Sequence, residues 1–180
     1  VAPPEAAGVV VVGQEEVHLP LGEPLHRAHR EHEVADLQRA MDFYCGHLGF
    51  ELITMYGTDA AFISAGGYHH HIGLNTWYSK GAPPAPTRSA GLFHTAILYP
   101  TRKDLATVLL RLLKAKYPLT GASDHGVSEA IYLDDPDGNG VELYWDKPRE
   151  VWPQKSDGGI DMYTHSLDLD NLLLEAEETT

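Results

Sequence analysis

The chain repeats itself. His94 follows His29 by 65 positions, Asp104 follows Asp36 by 68, and Trp145 follows Trp77 by 68. In each half a histidine-bearing strand precedes an Asp-Leu helix start, Asp36-Leu37 or Asp104-Leu105, and each half closes on a strand ending in tryptophan. A recurrence of that length marks a duplicated strand–helix–three-strand module, not a long solenoid. Two such modules, each with a one-sided sheet, bury their apolar faces by curling around a common cavity. Equivalent positions of the two halves then converge there, and the fold class expected is α+β.

Local patterns divide the chain further. Residues 1–25 are rich in Pro, Gly and Ala without periodicity and read as an N-terminal arm. The first module spans 26–80, a Pro/Gly-rich linker 81–90, the second module 91–147 and an acidic tail with a short helix 148–180. In "DLQRAMDFYCGHLGF", Leu37, Met41, Tyr44 and Leu48 share a helical face, and Asp36 is the expected N-cap. "FELITMY", "AAFISAG" and "HHHIGLNTW" read as strands, as do "LFHTAILY", "EAIYL" and "VELYW" around the amphipathic "TRKDLATVLLRLLKAKY". Arg30, Glu31 and Glu33 make the segment around His29 a poor strand by propensity.

Composition excludes some functions. The net charge of −13 repels phosphate backbones, so nucleic acid is not an expected partner. No run of eighteen apolar residues occurs, and the opening "VAPPEAAGVVVVGQ" lacks a basic n-region, so neither a membrane span nor a signal peptide is expected. The single Cys45 forms no internal disulfide and is read as core packing, which suits a reducing cytoplasm. Eleven histidines in 180 residues point instead towards metal chemistry.

The sharpest local question is Glu142. It lies between Val141 and Leu143 in "VELYW", after the turn "DDPDGNG", and points either to solvent or inward to something that needs a carboxylate. His94, in the otherwise apolar "LFHTAIL", poses the same question. Strand alternation sends Val141 and Leu143 to one face and Glu142 and Tyr144 to the other. Gly138 and Gly140 are expected to supply positive φ, and Pro136 a fixed φ, to set that register. In the run His69-His70-His71, alternation puts His69 and His71 on one face and His70 on the opposite one.

"FYCGHLGFEL", "YHHHIGLNTW", "GLFHTAILYP", "DHGVSEAIYL" and "DPDGNGVELYWDKP" resemble the vicinal oxygen chelate superfamily of paired βαβββ modules. Within it they are most similar to the catechol-2,3-dioxygenase group of extradiol dioxygenases, from about Leu25 to Trp152, and the tail "IDMYTHSLDLDNLLLEAE" is similar to that group as well. The resemblance implies a curled mixed sheet around a metal-binding cavity. It implies Fe(II), or Mn(II) or another divalent ion, held by His29, His94 and Glu142, with His26 and His32 as competitors for the first position. His70 would be the active-site acid/base, and His125 and Tyr132 the residues that hydrogen-bond bound catecholate.

Two imidazoles and a carboxylate on one face of an ion leave positions open for substrate and dioxygen, the pattern of non-haem Fe(II) oxygenases. The implied activity is ring cleavage of an aromatic diol by dioxygen, in the breakdown of aromatic compounds, with a homodimer as the expected assembly. Trp77, Tyr144 and Trp145 are candidates to wall the substrate ring. Two other readings stay open. One is a different metal-dependent activity, such as a glyoxalase-like isomerase, a lyase or a fosfomycin-type resistance enzyme. The first-module carboxylate that a glyoxalase I site uses is absent from "HHHIGLNTW". The other is a metal-free drug-binding resistance protein.

Overall fold

A computed structural model describes residues 10–12, 30–86, 88 and 90–176 of the chain, and the structural statements below concern those residues. The first module runs β2 (Arg30–Glu33), α1 (Leu37–Met41), β3 (Glu51–Tyr56), β4 (Ala60–Ser64) and β5 (Ile72–Asn75), after a short β1 (Val10–Val12). Its sheet has the order β2-β5-β4-β3, with β2 parallel to β5 and the other pairs antiparallel. The second module runs β6 (His94–Leu98), α2 (Arg102–Lys114), β7 (Gly121–Asp124), β8 (Ser128–Asp134) and β9 (Gly140–Asp146). Its strands stand in the order β6-β9-β8-β7, so first lies beside last in both halves. The repeat legible in the sequence is a repeat of topology. The second sheet is extended to six strands by β1 outside β6 and by β10 (His165–Ser166) outside β7.

The helices start for local reasons. Asp36 accepts from the Arg39 N–H at 3.0 Å, the N-cap expected of it. Beyond Met41 the helix widens into a π turn over Asp42–His47, in which Leu48 N–H reaches the Phe43 carbonyl. Met41 is only half-buried, whereas Phe43 and Tyr44, adjacent in sequence, are both buried. In α2 the N-cap is Thr101, and Asp104 closes a capping box from the third helical position. The two Asp-Leu pairs therefore do not occupy equivalent helix positions. β7 was not legible from residue patterns, because Gly-Ala-Ser-Asp carries no apolar alternation and pairs only through its backbone with β8 and β10. The short helix expected in the tail is α3 (Leu169–Leu173), which buries Leu172.

Leu105, Leu109 and Leu112 of α2 pack with Ile131, Leu133, Val141 and Leu143 in a core shared with Val34, Tyr44, Ile63 and Leu74 of the first module. Polar groups also join the modules. Tyr44 donates to the buried Asp135 at 3.0 Å, and Asp137 receives the Ala35 N–H and the Arg39 guanidinium. The turn that leads into β9 is thus fastened to the first module. Cys45 is half-buried against the core, and burial pushes its thiol up. No helix among the described residues is long and apolar enough to cross a membrane.

Candidate active site

β9 alternates as expected. Val141 and Leu143 are buried in the core, while Glu142 and Tyr144 turn to the other face. On neighbouring β6, parallel to β9, His94 shares that face; it lies level with Gly140, two positions before Glu142's level. Its Nε2 reaches forward to Glu142 Oε2 at 2.9 Å. The approach depends on Gly140, where a Cβ would strike the Phe93 carbonyl and lie 3.2 Å from the Cβ of His94. Gly140 is needed for closeness and not, as expected, for positive φ; Gly138 alone of the two has it, at 83°. The Asp135 carboxylate holds the turn shut by accepting from the N–H groups of Asp137 and Asn139, each at 2.9 Å.

Tyr132 on β8 is the cross-strand partner of Glu142, and its hydroxyl donates to Glu142 Oε1 at 2.8 Å. His125, in the loop between β7 and β8, shares a 2.8 Å hydrogen bond with the same hydroxyl through Nε2. His94, Glu142, Tyr132 and His125 therefore form one continuous line. Burial first, then the hydrogen bond to the Glu142 carboxylate, pushes the Tyr132 phenol well above its ordinary range, so it stays a donor near neutrality. Tyr144 is raised to about 12 by burial, with the carboxylates of Asp146 and Glu142 adding to it. His94, Tyr132 and His125 of that line border a cavity of about 520 Å³, walled also by Phe93, Ser123 and Thr164, among others.

His94 and Glu142 are donor types that suit Fe, Mn or Zn. Their 2.9 Å separation equals that of two ligands at right angles about an ion roughly 2.0–2.2 Å from each. His94 Nδ1 is buried with no hydrogen-bond partner among the described residues. That costs about 1–3 kcal/mol if nothing compensates it. The pair thus suits two of the three ligand positions that the resemblance implies. No third His, Cys, Asp or Glu joins it among the described residues. His29, expected as the third, and its competitor His26 lie outside them. His32 is not available: it points into the core, its Nδ1 3.2 Å from the Tyr44 hydroxyl and its Nε2 3.4 Å from Thr95 Oγ1.

The other candidates are placed differently. His70 stands in the first module against Phe62, with its Nδ1 2.7 Å from that of His69, and is not among the residues of the cavity wall. The triplet does not alternate as a strand. β5 begins only at Ile72, His69 is exposed, and His71 is buried with its Nδ1 2.9 Å from Ser64 Oγ. Trp77 is 53% exposed beyond the end of β5, and neither it nor Tyr144 nor Trp145 lines the cavity. The aromatic wall is Phe93, whose place beside His94 was the available signal. Thr164 carried no signal, because it reaches the cavity only when the tail returns along β7.

The Glyoxalase/Bleomycin resistance protein/Dioxygenase superfamily matches residues 28–143, both modules together. The chain is 37% identical over 155 residues to a catechol-2,3-dioxygenase of Bacillus subtilis (strain 168), a match covering 86% of this chain and 53% of that protein. It is 35% identical over 85 residues to biphenyl-2,3-diol 1,2-dioxygenase 3 of Rhodococcus globerulus, covering 47% of this chain and 45% of that protein. It spans about half the length of these relatives. Among solved structures, a glyoxalase/dioxygenase from Nostoc punctiforme shares the fold, with a TM-score of 0.56 over 74% of this chain and all of the other at 18% identity. Paired modules of identical strand order, matched along both halves, place this chain in the Glyoxalase/Bleomycin resistance protein/Dioxygenase superfamily.

Proposed function

We propose that the protein is an Fe(II)-dependent extradiol dioxygenase that opens the ring of a catechol. The observation that supports this best is the hydrogen-bonded line His94–Glu142–Tyr132–His125, of which His94, Tyr132 and His125 line the cavity. The relatives named catechol-2,3-dioxygenase and biphenyl-2,3-diol 1,2-dioxygenase favour the same substrate class. His94 and Glu142 would hold the ion, with His29 as the third ligand. Bound iron(II) would supply Lewis acidity towards the two substrate hydroxyls and exchange electrons with dioxygen.

The chain's own residues do the rest. Tyr132, by donating to Oε1, holds the other carboxylate oxygen of Glu142 towards His94. Phe93 offers a flat apolar wall for the ring. His125 Nε2, beside the Tyr132 hydroxyl on the cavity wall, would donate to a catecholate oxygen and stabilise charge there. Tyr132 gives its only hydrogen to Glu142, so His125 Nε2 is the donor of the bond between them and would deliver that proton to oxygen bound in the cavity, a role suited to imidazole. The ring carbon–carbon bond beside the hydroxyl-bearing carbons breaks, and both atoms of dioxygen enter the product. No external reductant is consumed.

The test is anaerobic loading with Fe(II), then addition of oxygen with a panel of catechols. A yellow ring-fission product is expected, with one dioxygen consumed per catechol and none without iron. Iron-loaded protein that cleaves no catechol of the panel would sink the reading.

A further inference from the structure

The loop that carries His125 is held from outside the two modules. After β9 the chain turns away through Trp152, whose indole N–H donates to the Lys147 carbonyl, and comes back over residues 161–166. There β10 pairs antiparallel with β7, His165 opposite Asp124 and Ser166 opposite Ser123. The Tyr163 N–H reaches the His125 carbonyl at 3.3 Å. The Tyr163 ring stacks on His165 with centroids 4.2 Å apart. Lys147 pins Asp124, the residue before His125, at 2.7 Å. Partial burial pushes the Asp124 carboxyl up, but the Lys147 ammonium and the Gly126 N–H outweigh it and hold the group below its usual range.

We infer that Tyr163 and Thr164 are positioning residues for His125, through the hydrogen bonds that the Tyr163 carbonyl and the Thr164 hydroxyl make with its Nδ1. The distances are 3.0 Å and 3.3 Å. A backbone carbonyl only accepts, so Nδ1 carries a hydrogen and Nε2 is the nitrogen turned to Tyr132. A histidine in a loop rotates freely about χ2 unless its other nitrogen is tied. Here the tie is made by a segment about forty residues downstream, and Thr164 also lines the cavity. Gly126 lets the strap lie this close. Its φ is 80°, and a Cβ there would meet the Tyr163 ring at 2.7 Å and Pro153 at 2.8 Å. This inference rests on the proposed role of His125 but is read out separately from it.

The experiment is side-chain ¹⁵N–¹H correlation on histidine-labelled full-length protein, without metal or substrate, with His125 assigned by its loss in His125→Gln. The wild type is expected to show a hydrogen on Nδ1 slowed in exchange with water. Gly126→Ala lifts the strap and is expected to abolish that protection. Thr164→Val shifts the resonance less, and Thr164→Ser, which keeps the hydroxyl, restores it. In iron-loaded Gly126→Ala, kcat should fall by on the order of 10²-fold, as for a misplacement of about 1 Å, at unchanged iron content. If Gly126→Ala does not fold, the Thr164→Val and Thr164→Ser pair decides. An unprotonated Nδ1 in the wild type, or a resonance indifferent to every variant that folds, overturns the inference. An inactive wild type with the expected resonance overturns the dioxygenase reading and leaves the positioning role standing.

Discussion

Tyr132 and Glu142 face each other directly across the β8–β9 ladder, and the tyrosine hydroxyl donates to the carboxylate at 2.8 Å. A cross-strand pair of this kind fixes the carboxylate's rotation as well as its position, leaving one oxygen for His94 and giving the other to Tyr132. The division of labour within that pair is open to direct test.

Glu142→Ala should lose bound iron, while Tyr132→Phe should retain it and lose turnover. Metal analysis after reconstitution checks both. Full iron stoichiometry in Glu142→Ala would remove Glu142 from the ligand set.

Two histidines compete for the proton-handling role. His125→Gln should lower turnover by roughly 10²–10⁴-fold, the range of a general acid/base. His70→Gln, altering a residue away from the cavity wall, should lower it less. The reverse order in steady-state kinetics would hand the role to His70, and loss of iron in His70→Gln would make it a ligand.

The turn before β9 does more than reverse the chain, because Asp135 ties it to Tyr44. Tyr44→Phe removes that tie and leaves buried acceptors short of a donor, so unfolding stability should fall by about 1–3 kcal/mol. The urea midpoint measures it. Deleting Gly138 should shift the β8–β9 register and rotate Glu142 away from His94, abolishing metal binding more completely than it lowers the melting temperature. A deletion variant with normal iron affinity would show that the turn does not set the register.

His32 predicts a pH dependence. Burial lowers its folded pKa below the ordinary 6.5, although Asp135 partly opposes this. The unfolded chain therefore binds the proton more readily, and stability is lost as pH falls from about 6.5 towards the lower folded value. In His32→Gln that part of the slope should vanish. Parallel stability-versus-pH curves for variant and wild type would refute it.

Much of this protein is local in origin and so could be read along the chain. The repeat, the inward face of β9 and the cap at Asp36 follow from period-two alternation and neighbouring residues, and they hold in the structure. The matching 1-4-3-2 strand order in the two sheets follows from the repeat. Other features depend on contacts between segments far apart. The histidine triplet of the first module is irregular because β5 starts only after it, and His32 serves the core because Tyr44 and Thr95 meet it there. Gly140 is small for the sake of Phe93 and His94, at the start of neighbouring β6. Thr164 enters the cavity wall because β10 pairs with β7, a backbone association that no side-chain pattern announces. Alternation tells a residue which face it occupies; which distant residue waits at that face is settled only when the sheets and the tail close on one another.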